Sequence, residues 1–297
     1  MAETSLQDLI EGVISGEIVP YLGAGVLQGS VNPETSEPIP ADSDSLILAM
    51  NGGKPMSPRL MYEFPRAAMD VELKRGRSAV NRFLDDTYGK THWSRSPFHD
   101  WIARIKPPYV IDINRDTQLQ ESYEGTPHTL IRGISRIAGT DYRFRIHNYD
   151  GEKYSGWEVD QKDVDPNLPI LFKPMGSPIP DATYIASDAD YVDYISELMG
   201  GFAIPGFVKT LRIGKQYLFV GLRMTRDTER MVLSDMIYSA GIPAGWALIP
   251  RPNDKERRFC MKMNIQLLEA DIADLLTAAG VTGKSGSEPR LMHDVGC

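Results

Sequence analysis

Short, largely apolar segments alternate with amphipathic ones along the chain. Ile18–Leu22, Tyr109–Ile113 and Leu168–Phe172 are rich in apolar residues. Helical spacing of apolar residues predicts a helix over Leu6–Ile14, and a capping box of Ser187 and Asp190 predicts another over Ser187–Met199. A strand that is apolar on both faces is typical of a parallel sheet covered by helices on both sides. The pattern therefore predicts an α/β fold with a Rossmann-like parallel sheet and helices on both faces.

Three other segments are assigned from local signals. A Thr-Pro start predicts a helix from Thr126 to about Ala138, and Asp150-Gly151 predicts a hairpin turn. An apolar run predicts a strand from Cys260 to Ile265, with Cys260 as a small core residue. The stretch from Leu27 to Pro58 contains five prolines and predicts a mobile loop.

These assignments together predict one domain over residues 1–280. Within it we expect the mobile loop near 27–58 and a small hairpin insertion near 141–160. The polar residues 281–297 predict a flexible tail.

Composition and charge argue against several classes of protein. The 297 residues include 32 Lys and Arg against 40 Asp and Glu, a net charge of −8 that disfavours nucleic-acid and anionic-membrane surfaces. Two cysteines exclude a disulfide framework and a four-cysteine zinc site. We therefore expect no bound metal, although His293 and Cys297 in the tail could in principle bind one. No apolar run is long enough for a membrane span and no secretory signal is evident, so we expect a cytoplasmic protein.

Polar or glycine-rich residues follow four of the predicted strands. They are Gly23-Ala24-Gly25, Asn114 to Asp116, Lys173 to Ser177, and Gly221 to Asp227. In open parallel sheets ligands bind beyond the carboxyl ends of the strands, so these residues predict a ligand site at that edge.

Each of these motifs also has an ordinary structural interpretation. Gly23-x-Gly25 suits backbone approach to a pyrophosphate, but it equally suits a tight turn from strand to helix. Asn114 and Asp116 could orient a sugar hydroxyl or a carboxamide, or they could cap a helix that begins near Thr117. Arg223 could be a surface charge.

Taken in order, the motifs resemble the bacterial sirtuin-like family, specifically its zinc-less branch. Ile18 to Val26 is similar to the family's phosphate loop, and Asn114-Arg115-Asp116 resembles its Asn-x-Asp signature. Lys173-Pro174-Met175-Gly176 stands where the family has Lys-x-His-Gly, and Phe219-Val220-Gly221 follows in family order. The resemblance extends from about Leu6 to Leu276, and the lack of a CxxC pair agrees with the zinc-less branch.

The resemblance implies a sirtuin-type core that binds NAD, in a family that contains protein deacylases and NAD glycohydrolases. The implied cofactor-binding residues are Gly23, Ala24, Gly25, Asn114, Asp116, Gly176, Gly221 and Arg223. The Gly-Ala-Gly turn would line the pyrophosphate, and Gly221 would lie near the adenosine. The implied catalytic residues are Asn114, which would hold the nicotinamide ribose or a water, and Asp116, which would contact the carboxamide.

Four positions depart from the family pattern. Met175 stands at the position of the catalytic histidine, and a thioether cannot take a proton at neutral pH. General-base catalysis typically contributes about 10²–10⁴-fold, so ordinary sirtuin chemistry should be impaired. Leu27 and Arg223 replace serines, and Arg223 could bind phosphate or fill the adenosine site. Asp112 replaces a threonine and should add negative charge near an anionic cofactor.

We therefore expect a sirtuin-like domain that binds NAD, ADP-ribose or a related nucleotide, with impaired or lost catalysis and a sensor or regulatory role. The expected ligand is a nucleotide, and the expected macromolecular partner is a protein that the sequence does not identify. We expect no binding to nucleic acid or membranes and no zinc. One alternative is a divergent NAD glycohydrolase or deacylase, for which His147 is the candidate base. Another is a protein-interaction module whose pocket is closed by Met175, Leu27 and Arg223.

Overall fold

The structure, a computed structural model, describes residues 4–281. The strands are β1 (Ile18–Leu22), β2 (Tyr109–Asp112), β3 (His128–Gly133), β4 (Phe144–Tyr149), β5 (Ile170–Lys173), β6 (Gly176–Ser177), β7 (Thr183–Tyr184), β8 (Gln216–Val220), β9 (Gly245–Leu248) and β10 (Ile265–Leu268). The helices are α1 (Leu6–Ser15), α2 (Ser43–Met50), α3 (Phe64–Arg75), α4 (Arg77–Leu84), α5 (Pro97–Ile105), α6 (Gln118–Ser122), α7 (Asp188–Gly200), α8 (Gly206–Leu211), α9 (Asp227–Met236), α10 (Asp254–Lys262) and α11 (Ile272–Ala278). A 3₁₀ turn over Ala24–Leu27 follows β1, and a π-helical turn over Asp85–Lys90 follows α4.

Eight of the strands form one mostly parallel sheet in the order β10-β9-β8-β1-β2-β5-β3-β4. Only the β3–β4 pair is antiparallel, and β6 and β7 form a separate two-stranded hairpin. The chain leaves β1 toward β2 on one side and later returns to β8 on the other side of β1. The strand order therefore reverses at β1, where ligands of doubly wound sheets bind. The predicted α/β fold with a Rossmann-like sheet is confirmed.

The sheet has an apolar layer on each face. Successive residues of β2 alternate between the layers, with Val110 in one and Tyr109 and Ile111 in the other. The first layer packs against α1 and α5, for example through Leu9 and Trp101, and the second contains residues of α7 and α9. Burial on both faces explains why these strands lack the polar–apolar alternation of a half-exposed strand.

Two predicted elements are wrong. The segment assigned to a helix from Thr126 to Ala138 contains β3, which lies between β4 and β5. The predicted strand from Cys260 is the end of α10, which begins at a capping box formed by Asn253 and Glu256. Cys260 is buried as expected, but on a helix.

Two further segments differ in detail from the prediction. The 27–58 stretch contains helix α2 and a bridge between Val31 and Pro38, so it is not loop throughout, and its mobility stays a prediction. Near 141–160, β4 pairs along its length with β3, whereas Tyr149 and Tyr154 form only an isolated bridge. The predicted tail over 281–297 lies outside the described residues except for Val281.

Candidate functional site

The four motif-bearing strand ends lie at one edge of the sheet. β1 pairs in parallel with both β2 and β8, and β2 pairs in parallel with β5. The residues that follow these strands therefore lie side by side, as the sequence predicts. This edge is the candidate site.

Glycines make the turn after β1 possible. The amides of Gly23 and Gly25 donate to the carbonyls of Val220 and Gly221, each over 2.9 Å. A Cβ on Gly23 would lie 2.7 Å from the Gly221 carbonyl oxygen, and a Cβ on Gly25 would lie 2.8 Å from the Gly221 Cα. These glycines are thus required for backbone packing, and only the remaining amides of the turn, such as that of Ala24, could contact a phosphate without breaking these bonds.

Asp112 is not the free negative charge expected near a cofactor. Its Oδ2 lies 2.5 Å from Nζ of Lys173 on the adjacent strand β5, and both side chains are 0% exposed. Its Oδ1 accepts from the backbone N of Asn114 over 3.0 Å and from Nδ2 of Asn114 over 2.8 Å. The negative charge is therefore compensated locally by Lys173.

Asp116 combines a structural contact with an unused acceptor. Its Oδ1 accepts from the backbone N of Gln118 over 2.8 Å at the start of α6, as the helix-cap interpretation expects. Its Oδ2 is buried and has no hydrogen-bond partner among the described residues. Burial, opposed by the nearby charge of Lys173, raises the pKa of Asp116 to about 6. An unpaired buried acceptor of this kind suits a ligand N–H group.

Met175 follows β5 and is only 3% exposed. Its carbonyl accepts from the backbone N of Ile185 over 3.1 Å, and its side chain belongs to the apolar layer that contains Ile185. Gly176 has φ +86°, and a Cβ there would lie 2.0 Å from the Thr183 carbonyl oxygen. Met175 thus packs as an apolar residue, and Gly176 is required by the β6–β7 hairpin.

His147 lies on the edge strand β4 and lines a cavity. Arg132 donates to its Nε2 over 2.9 Å, so Nδ1 carries the proton and faces the Ser155 carbonyl at 3.4 Å. Burial and the positive charge of Arg132 lower the pKa of His147. Its only basic lone pair is therefore already engaged by an arginine.

That cavity has a volume of about 320 Å³. Its lining includes Arg145, Trp157 and Asp181 with His147, and it does not include Asn114 or Asp116. The structure therefore does not bring His147 together with the Asn-x-Asp residues.

Arg223 points toward α10. Its Nε lies 3.0 Å from Oε1 of Glu256, and its side chain is 62% exposed whereas that of Glu256 is fully buried. Leu27, the second residue expected to depart from the family pattern, is buried in the apolar layer next to α5. Both residues thus have structural contacts of their own.

Sequence reasoning missed Arg115, the middle residue of Asn-Arg-Asp. This buried side chain donates to the Ile185 carbonyl through Nε over 2.9 Å and to the Tyr191 hydroxyl over 3.2 Å. It also lies over the Phe64 ring, 5.5 Å from the centroid. Arg115 thereby ties the turn after β2 to the segment before α7. Its partners Ile185 and Tyr191 lie 70 and 76 residues further along the chain, so no local sequence signal marked its role.

The family model of the SIR2-like domain matches residues 109–268, just over half of the chain. This chain belongs to the SIR2-like family. The matched region of the SIR2-like domain begins at β2 and ends with β10, so it includes Asn114, Asp116, Met175 and Gly221. The glycine turn after β1 precedes the matched region. No curated protein matches the chain.

Membrane-spanning helices and metal-binding clusters are both absent from the described part of the chain. No helix between residues 4 and 281 has the length and apolarity needed to cross a membrane. Within the same residues, no three His, Cys, Asp or Glu side chains are grouped as they would be around a metal ion.

Proposed function

We propose that this SIR2-like domain binds NAD, ADP-ribose or a related nucleotide at the carboxyl edge of its sheet, and that it cleaves NAD slowly or not at all. The observation that carries the proposal is the contrast between Asp116 and Met175. Asp116 offers a buried, unpaired acceptor, whereas Met175 offers no group that can take a proton.

The residues present fit the recognition of such a ligand better than its cleavage. Asp116 Oδ2 would accept from the carboxamide of the nicotinamide, and Asn114 would contact the adjoining ribose. The amide of Ala24 would face the pyrophosphate, and Gly221 would lie near the adenosine. NAD itself would supply the labile bond between nicotinamide and ribose.

Neither Met175 nor His147 is placed to act as a base beside that bond. Met175 packs among apolar side chains, and the Nε2 lone pair of His147 is engaged by Arg132 in another part of the sheet. Because general-base catalysis contributes about 10²–10⁴-fold, a site without it should favour binding over turnover. This balance supports the further proposal of a sensor or regulatory role, in which the bound nucleotide changes contacts with a partner protein.

Burial favours a second candidate function. Asn114, Arg115 and Asp116 are all buried. Asn114 and Arg115 hydrogen-bond to distant parts of the chain, and Asp116 accepts from the nearby Gln118. A site closed in this way would suit a protein-interaction module that keeps the fold without a nucleotide.

Isothermal titration with NAD and with ADP-ribose separates these functions, and nicotinamide release measured beside an active relative tests for turnover. We expect at least one of the two nucleotides to bind. Asp116→Asn should lower the affinity for NAD, whereas the control Asp163→Asn, at an exposed position, should leave it unchanged. Binding of neither nucleotide would favour the interaction module. Nicotinamide release within about tenfold of the relative would mean that another base acts.

A further inference from the structure

The buried pair of Asp112 and Lys173 holds the signature asparagine. Ile111 of β2 pairs with Phe172 of β5, so the next residues of the two strands, Asp112 and Lys173, meet at the carboxyl edge. Lys173 uses one carboxylate oxygen of Asp112, and Asn114 uses the other through both its backbone N and its Nδ2. The carboxylate thus links β5 to the turn after β2.

The orientation of the Asn114 amide follows from the chemistry of its neighbours. Besides Asp112 Oδ1, Nδ2 of Asn114 lies 3.0 Å from the Gly23 carbonyl oxygen. A carbonyl oxygen can only accept a hydrogen bond, and so can an ionised carboxylate. The NH₂ end must therefore face Asp112 and Gly23, and both of its hydrogens are used.

We infer that Lys173, through Asp112, is a positioning residue that leaves Asn114 only its Oδ1 for a ligand. In this arrangement Asn114 accepts a hydrogen bond and cannot donate one. A hydroxyl group of the ligand, such as one on the ribose next to the nicotinamide, meets this requirement, whereas a group that can only accept does not. The inference rests on the proposed function for the identity of the ligand, but the positioning of Asn114 does not depend on it.

The test compares ADP-ribose with ADP, because ADP lacks the second ribose that Asn114 would contact. In the double variant Asp112→Leu/Lys173→Met, which removes both charges and every acceptor at position 112, we expect ADP-ribose to bind about tenfold more weakly while ADP binds as before. The matched control is Asp86→Leu/Lys90→Met, the same change at an exposed pair 2.7 Å apart, which should alter neither affinity. An equal loss of affinity for both ligands, or no loss of affinity for either, would overturn the inference. If the double variant does not fold, Asp112→Asn alone is judged by the same ratio.

A second measurement needs no nucleotide. The side-chain amide signal of Asn114, assigned by its disappearance in Asn114→Ala, should exchange its hydrogens slowly in the unaltered protein and rapidly in the double variant. If the protein binds neither ADP-ribose nor ADP, the proposed function fails, and this exchange decides the positioning alone. Equal exchange rates of the Asn114 amide hydrogens in the two proteins would refute the positioning role of Lys173 and Asp112.

Discussion

Gly25 and Gly221 are in backbone contact across the switch point of the sheet. The amide of Gly25 donates to the Gly221 carbonyl over 2.9 Å, and a Cβ on Gly221 would lie 2.6 Å from the backbone N of Val26. This contact joins the turn after β1 to the turn after β8. Nothing larger than glycine fits at either position without a backbone shift.

Substitution of Gly221 tests that contact. Gly221 has φ +71°, so Gly221→Ala adds both left-handed strain and a steric clash, and should lower the free energy of unfolding by about 3 kcal/mol. Gly125 has the same φ of +71°, but no atom lies within 4 Å of the place that its Cβ would take, so Gly125→Ala should cost only about 1 kcal/mol. Urea denaturation measures both, and equal losses would show that the contact is not tight.

The second prediction concerns the stability that depends on Lys173. Lys173→Met leaves the buried carboxylate of Asp112 without its counter-charge, which should lower the free energy of unfolding by about 3–5 kcal/mol. Adding Asp112→Asn should restore much of this loss, because the uncompensated charge is then gone. The measurement is a double-mutant cycle by chemical denaturation, and additive effects of the two changes would argue against a buried ion pair.

The third prediction is a pH dependence of NAD recognition. The pKa of Asp116 is raised by burial to about 6, so its carboxylate is mostly ionised at about pH 7 and mostly protonated at about pH 5. The ionised Oδ2 accepts a hydrogen bond from the carboxamide N–H more strongly than the protonated carboxyl group does, so the affinity for NAD relative to ADP-ribose should fall about tenfold as the pH is lowered over that interval. Asp116→Asn should abolish the dependence. A ratio that is constant with pH would contradict the contact between Asp116 and the carboxamide.

The fourth prediction concerns Glu229 on α9, whose Oε2 is buried without a partner among the described residues. Burial raises the pKa of Glu229 from 4.5 to about 7, so between these values the folded protein binds more protons than the unfolded chain. The stability that protonated Glu229 contributes is therefore lost as the pH rises through about 7. Glu229→Gln should flatten this dependence and raise stability at about pH 8 by roughly 3 kcal/mol.

The control for that experiment is Glu124→Gln, at an exposed position. Thermal unfolding across the pH range, at constant ionic strength, should show no change in the slope for this variant. If Glu229→Gln also leaves the slope unchanged, Glu229 does not titrate with a raised pKa.

The fifth prediction introduces an imidazole at position 175. In Met175→His the side chain keeps a similar length, and nicotinamide release should rise by about 10²-fold if only the base is missing. Asn114→Ala in the same background should remove the gain. The new histidine lies in an apolar layer, so some loss of stability should accompany the change. Binding of NAD without any increase in release would place the defect in the geometry set by Leu27, Asp112 or Arg223.

Local patterns in the sequence were sufficient for several elements. The apolar runs Ile18–Leu22 and Tyr217–Val220, each predicted as a strand, lie in adjacent central strands, and burial on both faces explains their apolar character. The capping box of Ser187 and Asp190 begins α7 as predicted, because both residues belong to the same turn. The sequence also determined that Gly23 to Gly25, Asn114 to Asp116, Lys173 and Gly221 would meet at one edge, since parallel strands end on the same side.

The tertiary structure decided what depends on partners distant in the chain. The segment around β3 begins with a Thr-Pro pair that is typical of a helix start, but pairing with both β4 and β5 makes it a strand. The charge of Asp112 is compensated by Lys173, and Asn114 takes its orientation from Asp112 and Gly23. Lys173 and Gly23 are far from Asp112 and Asn114 along the chain, so only the register of neighbouring strands brings these groups within hydrogen-bonding distance. A one-residue change in that register would turn each side chain to the opposite face of the sheet.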